Sequence, residues 1–375
     1  MSNDNNNSGH TNKDKLKEIK DKSHIKQNNS ERTEFDAPFH PWIKQDSKCH
    51  SLKGMLKLHY EIIDFYDFIK LTDSEKKQRY NTFNEINRII EDNFPNYKCN
   101  LYGSFITELS LPNSDIDILI SPKEENKSKN NIDEEFIQEN LKSIYVVLKN
   151  EDVFSNLEQI QAKVPIITGL YKSTNIHVDI SLFKKNGVDV AVIINKINNI
   201  YPEIKYLILV IKYLIRQRNL NQIYFGGISS FIIFSLLYYY ISDLKKQIQY
   251  EIKNGKKERM MTLGHLLVGF FNFYAFEFKY EKFGISLSNG CHLYARNDDN
   301  KNLLSIKNFE DESQDMGINC YNFGKVLDVF RLAAERLNYA KDNIVSYLGE
   351  FIFSDETLKE RAKMFKNKNE DFLTK

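Results

Sequence analysis

The spacing of apolar residues changes along this chain from a helical period to strict alternation and back, and this change constrains the fold most. Apolar residues recur at helical spacing over residues 52–69 and again over about 191–240. Between these segments they alternate with polar residues at 97–101, 116–120 and 176–182. Alternation places successive side chains on opposite faces of a strand. The sequence therefore predicts an α+β fold, in which a mixed α/β segment is flanked on both sides by helices.

Further elements are predicted from local signals. Thr72 or Asp73 can cap a helix that runs to about Asn93, because Glu75 or Lys76 would lie in its first turn and a proline follows its end. Other helices are expected at 132–148, 263–274 and 321–348, and another strand at 164–171.

Composition excludes several classes of protein. Lys and Arg number 52 against 51 Asp and Glu, and the resulting net charge of +1 excludes a polybasic protein that binds nucleic acid through bulk charge. The longest apolar stretch, residues 228–241, is shorter than the roughly 20 residues of a membrane span and is expected to be a buried helix, so no membrane association is predicted. The cysteines, which are scattered, are expected to be reduced thiols: Cys49, Cys99, Cys291 and Cys320.

Three acidic residues form the constellation with the clearest chemistry. Asp115 and Asp117 are two residues apart on a predicted strand, so both carboxylates point to the same face. Asp179 lies on a second alternating segment, and the three acids meet at one sheet edge if these strands are neighbours. Mg²⁺ prefers carboxylate oxygens together with waters and substrate phosphates. A lone pair of such acids is more often a solvated strand edge, but the set of three predicts a two-metal site for nucleotidyl transfer.

A glycine and a serine precede the acids and suit phosphate binding. Gly103 lets the backbone approach phosphate oxygens, and Ser104 offers a hydroxyl and an N–H group at an expected helix start. A Gly-Ser pair alone is most often a plain turn, so this interpretation depends on the acids that follow. No Gly-Lys-Ser or Gly-Lys-Thr follows, which excludes a Walker A loop.

A basic stripe on a later helix is the third element. Lys205, Lys212 and Arg216 are spaced seven and four residues apart and share one face. The stripe is either solvated or clamps a triphosphate, and the nearby acids favour the clamp. The following Gly-Gly-Ile-Ser-Ser segment can start a helix that binds phosphate through Ser230. Phe231 is either a core residue or a platform that stacks on a base.

Longer strings of sequence resemble a known family. Gly103-Ser104, Leu-Pro-Asn-Ser-Asp-Ile-Asp at 111–117 and Val-Asp-Ile-Ser at 178–181 resemble the polymerase-β-type nucleotidyltransferase signature. His-Pro-Trp-Ile at 40–43, the segments 59–65 and 206–212, and Gly-Gly-Ile-Ser-Ser at 226–230 are similar to noncanonical poly(A) polymerases of the TRAMP type. The resemblance covers about residues 38–348.

The resemblance implies a polymerase-β-like catalytic domain at 71–198 and an all-helical central domain built from the flanking segments 37–70 and 199–350. A disordered polar tail at 1–36 and a C-terminal helix or tail at 351–375 complete the expected organisation. Asp115 and Asp117 would hold both metals, and Asp179 would hold metal and help activate the RNA 3′-hydroxyl. The residues implied to meet the triphosphate are Gly103, Ser104, Lys212, Arg216 and Ser230.

The base of the nucleotide would be recognised by two further elements. Phe231 would stack on it, at a position where the family usually has Tyr. A recognition loop near Phe309 lacks the family's proline and about three residues, and Gln314-Asp315-Met316-Gly317 closes it early. Uridylyl-transferring relatives tend to have His where this chain has Gln314, so the loop favours ATP.

The resemblance thus implies an RNA 3′-end adenylyltransferase that uses ATP with Mg²⁺, or alternatively Mn²⁺, in nuclear RNA surveillance and decay. Implied partners are the RNA 3′ end, a zinc-knuckle RNA-binding protein and an RNA helicase. Nuclear localisation follows from the family alone, with the cytoplasm as the alternative. The other functions that stay open are a terminal uridylyltransferase and an inactive scaffold that binds RNA or protein.

Overall fold

A computed structural model describes residues 40–123, 134–161, 165–183 and 186–373, and the expected polar tail at 1–36 lies outside these ranges. The first two long helices are α1 (Gly54–Ile69) and α2 (Asp73–Asn93). Thr72 caps α2 by accepting a hydrogen bond from the Glu75 N–H at 3.3 Å, while the Glu75 carboxylate accepts from the Thr72 N–H at 2.7 Å. The predicted start and end of this helix are confirmed. The capping box fixes its first turn.

A five-stranded mixed sheet follows. Its strands are β1 (Tyr97–Tyr102), β2 (Ile116–Pro122), β3 (Phe154–Ile160), β4 (Ile166–Tyr171) and β5 (Ile176–Leu182). Their order across the sheet is β1-β2-β5-β4-β3, and only the central pair, β2 and β5, is parallel. The four predicted strands are confirmed. Strand β3 was not predicted from the sequence, because a register shift between Ser155 and Glu158 interrupts its alternation.

One hydrophobic core lies between this sheet and two helices. The short helix α3 (Gly103–Ile106) follows β1, and α4 (Glu134–Asn150) connects β2 to β3. Helices α2 and α4 bury apolar side chains against β2, β4 and β5; these fully buried residues include Ile86, Ile90, Leu141, Ile144, Leu148, Ile116, Ile118, Ile167, Val178 and Ile180. The isoleucines of β2 thus anchor the strand, and its other face is free for acids.

A second, larger core is mainly helical. Its helices are α1, α5 (Asn186–Ile200), α6 (Glu203–Arg216), α7 (Ser230–Lys253), α8 (Leu263–Asn272), a π-helical turn (Phe273–Glu277), α9 (Phe323–Tyr339) and α10 (Glu356–Leu373). Three short strands, β6 (Phe283–Ser286), β7 (His292–Ala295) and β8 (Ile306–Lys307), form a separate sheet. The α+β fold class is confirmed, but the expectation that this second part is all-helical is wrong. Strands of two to four residues are too short to show a period of two in the sequence.

The helical core joins segments from opposite ends of the chain. The Leu263 N–H at the start of α8 donates to His59 Nδ1 of α1 at 3.2 Å, and Lys57 Nζ donates to the Ile344 carbonyl at 2.6 Å. Leu109 and Leu111, from the loop before β2, are buried in the same core. The loop that leads to the acidic residues is therefore anchored in the helical part of the molecule.

A buried carboxylate fixes the junction between α1 and the segment after α9. Glu61 is completely buried, and burial raises the pKa of its carboxyl. It accepts hydrogen bonds from Trp42 Nε1 at 3.0 Å, from the N–H groups of Tyr347 and Leu348 at 2.8 and 3.2 Å, and from the Ser346 hydroxyl. Four donors thus converge on a single side chain.

The apolar stretch at 228–241 lies mostly within α7, where it is buried as predicted. In the described ranges, no helix combines the length and the apolar character that a bilayer span requires. The four cysteines are unpaired, as predicted.

Candidate active site

The two central strands of the larger sheet bring the acids together. Strands β2 and β5 are parallel neighbours, and their register pairs Asp117 directly with Asp179. Asp115 immediately precedes β2, one residue before the strand begins. The three acids therefore lie at one edge of the sheet, on the face opposite the buried isoleucines.

Crowding of these carboxylates shapes their electrostatics. Burial, followed by the negative charges of Asp179 and Asp115, raises the pKa of Asp117 to about 8. Burial also raises the pKa of Asp179, although a hydrogen bond from Thr168 Oγ1 to its Oδ1, at 2.6 Å, opposes the shift. A carboxylate cluster of this kind is stabilised in its charged form by a cation between its members.

The turn after β1 is shaped around Asp117. Gly103 has a φ of 72°, in the left-handed region that favours glycine. A Cβ atom there would lie 2.0 Å from Asp117 Oδ2, so no other residue fits without moving the carboxylate. The Ser104 N–H donates a hydrogen bond to Asp117, and the Ser104 hydroxyl lies 3.1 Å from that of Ser110.

Two cations of α6 face the acids from the helical side. Lys212 is buried, and its Nζ donates to the Leu109 carbonyl at 2.6 Å. Burial lowers the pKa of Lys212 to about 8, and the charges of Asp117 and Asp115 partly offset this shift. Arg216 interacts with Asp115 at longer range, and its Nη1 and Nη2 lie 3.1 and 2.6 Å from the oxygen of the Asn113 amide in its hydrogen-bonding orientation.

The start of α7 carries the residues proposed for base and phosphate. Ser229 caps the helix by accepting from the Ile232 N–H at 3.2 Å, which leaves Ser230 as its first residue. The partly buried ring of Phe231 meets the ring of Phe309 edge-on, with centroids 6.1 Å apart. Because Phe309 precedes the expected recognition loop, this contact joins the loop to the start of α7.

Residues at the end of the recognition loop form hydrogen bonds with other residues of the loop and with the small sheet. The Asp315 carboxylate accepts from the N–H groups of Ile306 and Gly317, each at 2.9 Å, and from the Ser305 hydroxyl. Gln314 is exposed, and its backbone carbonyl accepts a hydrogen bond from the Asn308 N–H at 3.1 Å. These contacts do not join Gln314 or Asp315 to the acids, and Asp315 shapes the loop in this structure.

Two residues near the acids escaped the sequence analysis. Arg79 of α2 is only 2% exposed; its Nη2 donates to the Pro112 carbonyl at 2.8 Å, and its Nη1 has no hydrogen-bond partner among the described residues. Its charge acts on Asp115 and Asp117. The sequence feature that indicates burial of Arg79 is its helical spacing from Thr82 and Ile86, which are both buried. The second residue is Thr168, whose role is visible only from the pairing of β4 with β5.

The site fits a hard divalent cation by its donor chemistry. Three carboxylates supply the oxygen ligands that Mg²⁺ and Mn²⁺ prefer. Within the part of the chain that the structure describes, no group of three or more His, Cys, Asp or Glu side chains is placed to hold a metal ion. Substrate phosphates and waters would therefore complete the coordination, as is usual for Mg²⁺ in nucleotide-binding enzymes.

Comparisons with known proteins agree with this fold. The model of the "Poly(A) RNA polymerase, mitochondrial-like, central palm domain" matches residues 58–198, and that of the "Cid1 family poly A polymerase" matches residues 262–315. Poly(A) RNA polymerase protein 1 of Saccharomyces cerevisiae is 30% identical over 258 residues, which are 68% of this chain and 38% of the relative.

Solved structures share the fold. The polymerase core of TRAMP, an RNA surveillance complex, has a TM-score of 0.70 and 25% identity, and the match covers 84% of this chain and 99% of that one. The Cid1 poly(U) polymerase has a TM-score of 0.65 at 19% identity, over 80% of this chain and 99% of that one.

The fold is that of the polymerase-β-like nucleotidyltransferases. The matches of the chain to both family models and to the TRAMP polymerase core are more specific. The chain resembles the noncanonical poly(A) polymerases, and this predicted resemblance is confirmed. It spans less than half the length of the yeast relative.

Proposed function

We propose that this chain is a template-independent RNA 3′-end adenylyltransferase, which adds AMP from ATP to RNA 3′-hydroxyls. The observation that carries the proposal is the direct pairing of Asp117 with Asp179 on parallel strands, beside the turn at Gly103. Similarity to the noncanonical poly(A) polymerases supports the reaction class. The catalytic domain would comprise residues 71–198, and the central domain residues 37–70 and 199–350.

Asp115, Asp117 and Asp179 would hold two divalent cations, Mg²⁺ or Mn²⁺. Bound cations supply positive charge that eases deprotonation of the attacking hydroxyl and stabilises the leaving pyrophosphate. The 3′-oxygen of the RNA forms a bond to the α-phosphorus of ATP while the bond to pyrophosphate breaks. The proton of the hydroxyl leaves towards Asp179, which Thr168 holds in place.

The triphosphate would lie between the turn after β1 and the two helices of the other core. Ser104 would donate from the first side, and Lys212, Arg216 and Ser230 from the second. Lys212 is close enough to Asp117 and Asp115 to interact with their charges, and its ammonium would exchange the hydrogen bond to the Leu109 carbonyl for one to a phosphate oxygen.

The base would stack on Phe231, beside the recognition loop that follows Phe309. Gln314, at the position where uridylyl-transferring relatives tend to have His, favours ATP. Asp315 would contribute indirectly by holding this loop in shape.

The RNA 3′ end is the proposed second substrate. A net charge of +1 gives little bulk attraction for RNA. A zinc-knuckle RNA-binding protein and an RNA helicase would therefore supply additional RNA binding. By analogy with the TRAMP polymerase core, we propose action in RNA surveillance and decay in the nucleus.

The test is extension of a 5′-labelled single-stranded RNA by the purified chain with each nucleoside triphosphate in turn. We expect extension with ATP that requires Mg²⁺ or Mn²⁺, stops in EDTA and is lost in Asp117→Asn. Asp299→Asn, an exposed acid in a loop, is the matched control. Preference for UTP would refute the adenylyl assignment, and no extension with any nucleotide would refute the enzyme.

A further inference from the structure

Three large aromatic side chains stand in solvent on adjoining loops. Tyr224 and Phe225 belong to a short 3₁₀ turn (Ile223–Phe225) between α6 and α7, and Tyr321 lies just before α9. Their exposed fractions are 59%, 69% and 55%. Within the described residues, none of the three rings packs against another aromatic ring. We call this group of Tyr224, Phe225 and Tyr321 the aromatic ledge.

The ledge is held together by hydrogen bonds between its two loops. The Tyr321 hydroxyl donates to the Tyr224 carbonyl at 3.0 Å, and the Asn322 side-chain amide donates to the Phe225 carbonyl. The Asn322 N–H donates to the Gly226 carbonyl at 3.0 Å. Gly226, with a φ of 72°, lets the Tyr321 ring lie against the backbone, since a Cβ there would be 2.4 Å from that ring.

The turn that carries Tyr224 and Phe225 is also closed at its base. The Ile228 N–H donates to the Leu220 carbonyl at 2.7 Å, and the Gly227 N–H to the Gln222 carbonyl at 2.9 Å. The exposure of the rings is thus imposed by a bonded backbone. An exposed apolar cluster held in this way marks a binding surface more often than a chance arrangement does.

The turn that carries Tyr224 and Phe225 connects two helices of the proposed active site. It leads from the end of α6, where Arg216 faces Asp115, to Ser230 at the start of α7. The Asp179 carboxylate acts on the Tyr224 hydroxyl and, after burial, contributes to raising the pKa of that phenol. Of the three acids, Asp179 is the one proposed to receive the proton of the attacking hydroxyl, and it is the acid whose charge reaches Tyr224.

The occupant that fits this surface is single-stranded RNA. Every base offers a flat apolar face to an aromatic ring, and stacking of this kind is independent of sequence. A template-independent enzyme needs such tolerance in the nucleotides that precede the 3′ end. Lys325, one turn beyond Tyr321, is exposed and forms no ion pair with the residues described, so it can meet an RNA phosphate.

We propose that the aromatic ledge is the stacking platform for the bases just upstream of the RNA 3′ terminus. The proposal rests on the proposed function, because it assigns a subsite for that reaction's second substrate. It adds residues outside the acid cluster and the nucleotide-contacting set.

The test combines changes in the protein with changes in the RNA. We would measure the KM for a labelled oligoadenylate primer, at saturating ATP and low salt, for Phe225→Ala and Tyr224→Ala. Loss of about 1–3 kcal/mol of stacking for each base raises this KM on the order of 5- to 150-fold. The KM for ATP should not change, and Tyr224→Phe should retain wild-type behaviour.

Matched controls are Tyr250→Ala and Tyr339→Ala, which remove exposed aromatic rings on α7 and at the end of α9. A primer with abasic nucleotides near its 3′ end provides the second arm. Stacking predicts that the abasic primer is a poor substrate for the wild type and that Phe225→Ala adds little further loss. A merely structural effect of the substitution would instead add fully to that of the abasic primer.

Three outcomes overturn the proposal. The first is a KM for RNA within twofold of wild type in both alanine variants, and the second is full additivity with the abasic primer. The third is that the alanine variants lose binding to a protein partner while their KM for RNA is unchanged. The ledge would then be a protein-docking surface. In all three, the wild type still extends RNA, so the proposed function stands; a wild type that extends no RNA refutes that function itself.

Discussion

Gly103 and Asp117 are in such close contact that a Cβ atom on the glycine would lie 2.0 Å from Oδ2 of the aspartate. The left-handed backbone of Gly103 turns the chain at the end of β1, and it does so directly above the carboxylate. The phosphate-binding turn and the metal-binding acid are thus parts of one packed unit.

We therefore expect Gly103→Ala to displace the Asp117 carboxylate and reduce kcat in primer extension by at least a hundredfold. Gly54→Ala is the matched control, because Gly54 also has a positive φ, of 55°, but its Cβ would meet nothing within 4 Å. Thermal unfolding of both variants separates backbone strain from the clash. Equal activity in the two variants would show that the contact with Asp117 is unimportant.

Thr168 positions the proposed proton acceptor. Its hydroxyl donates to Asp179 at 2.6 Å across the pairing of β4 with β5. A hydrogen bond to a charged group contributes about 1.5–3 kcal/mol, so Thr168→Val should lower kcat roughly tenfold or more. The KM for ATP should stay constant, and Thr168→Ser should restore the rate. An unchanged kcat in the valine variant would exclude this role.

Arg79 holds the loop that leads into Asp115. Its guanidinium binds the Pro112 carbonyl and retains one buried nitrogen without a partner among the described residues. Arg79→Met should lower kcat more than tenfold and reduce the free energy of unfolding by about 1–3 kcal/mol, since the carbonyl loses its donor. Arg88→Met, on the exposed face of the same helix, should change neither quantity.

The contrary result for Arg79 would be a variant that loses stability but keeps full kcat at a temperature where it is folded. Arg79 would then support the fold without orienting the acids. Circular dichroism melts and steady-state rates on the same preparations decide between the two outcomes.

Glu61 is expected to matter for stability and not for the reaction. Glu61→Gln places an amide NH₂ group among four donors, which should lower the free energy of unfolding by about 1–3 kcal/mol. Denaturant unfolding measures this loss, and Glu335→Gln on the exposed side of α9 is the control. Wild-type stability in Glu61→Gln would mean that the junction tolerates a neutral acceptor.

The sequence predicted the acidic cluster well because its pattern is local. Asp115 and Asp117 are two residues apart at the start of one alternating segment, and a further alternating strand carries Asp179. Only the adjacency of the two strands had to be assumed. The capping box at Thr72 was readable for the same reason, since all its atoms lie within four residues.

Features that depend on long-range packing could not be read in this way. The contact of Thr168 with Asp179 requires knowledge of which strands pair, and the burial of Arg79 requires knowledge of the loop at Pro112. The small sheet of β6, β7 and β8 has strands too short for a period, and its shape depends on the Asp315 hydrogen bonds. The exposure of Phe225 is equally invisible in the sequence, where a phenylalanine predicts burial.

The joining of α1 to α8 has a consequence for synthesis of the protein. About 200 residues separate His59 from its partner Leu263, which a ribosome adds in roughly 10–40 s. The catalytic sheet is completed within that interval, while the apolar face of α1 still lacks α8, which has not yet been made. A nascent chain paused there offers that face to chaperones, and a message truncated in this region yields a product that cannot bury it.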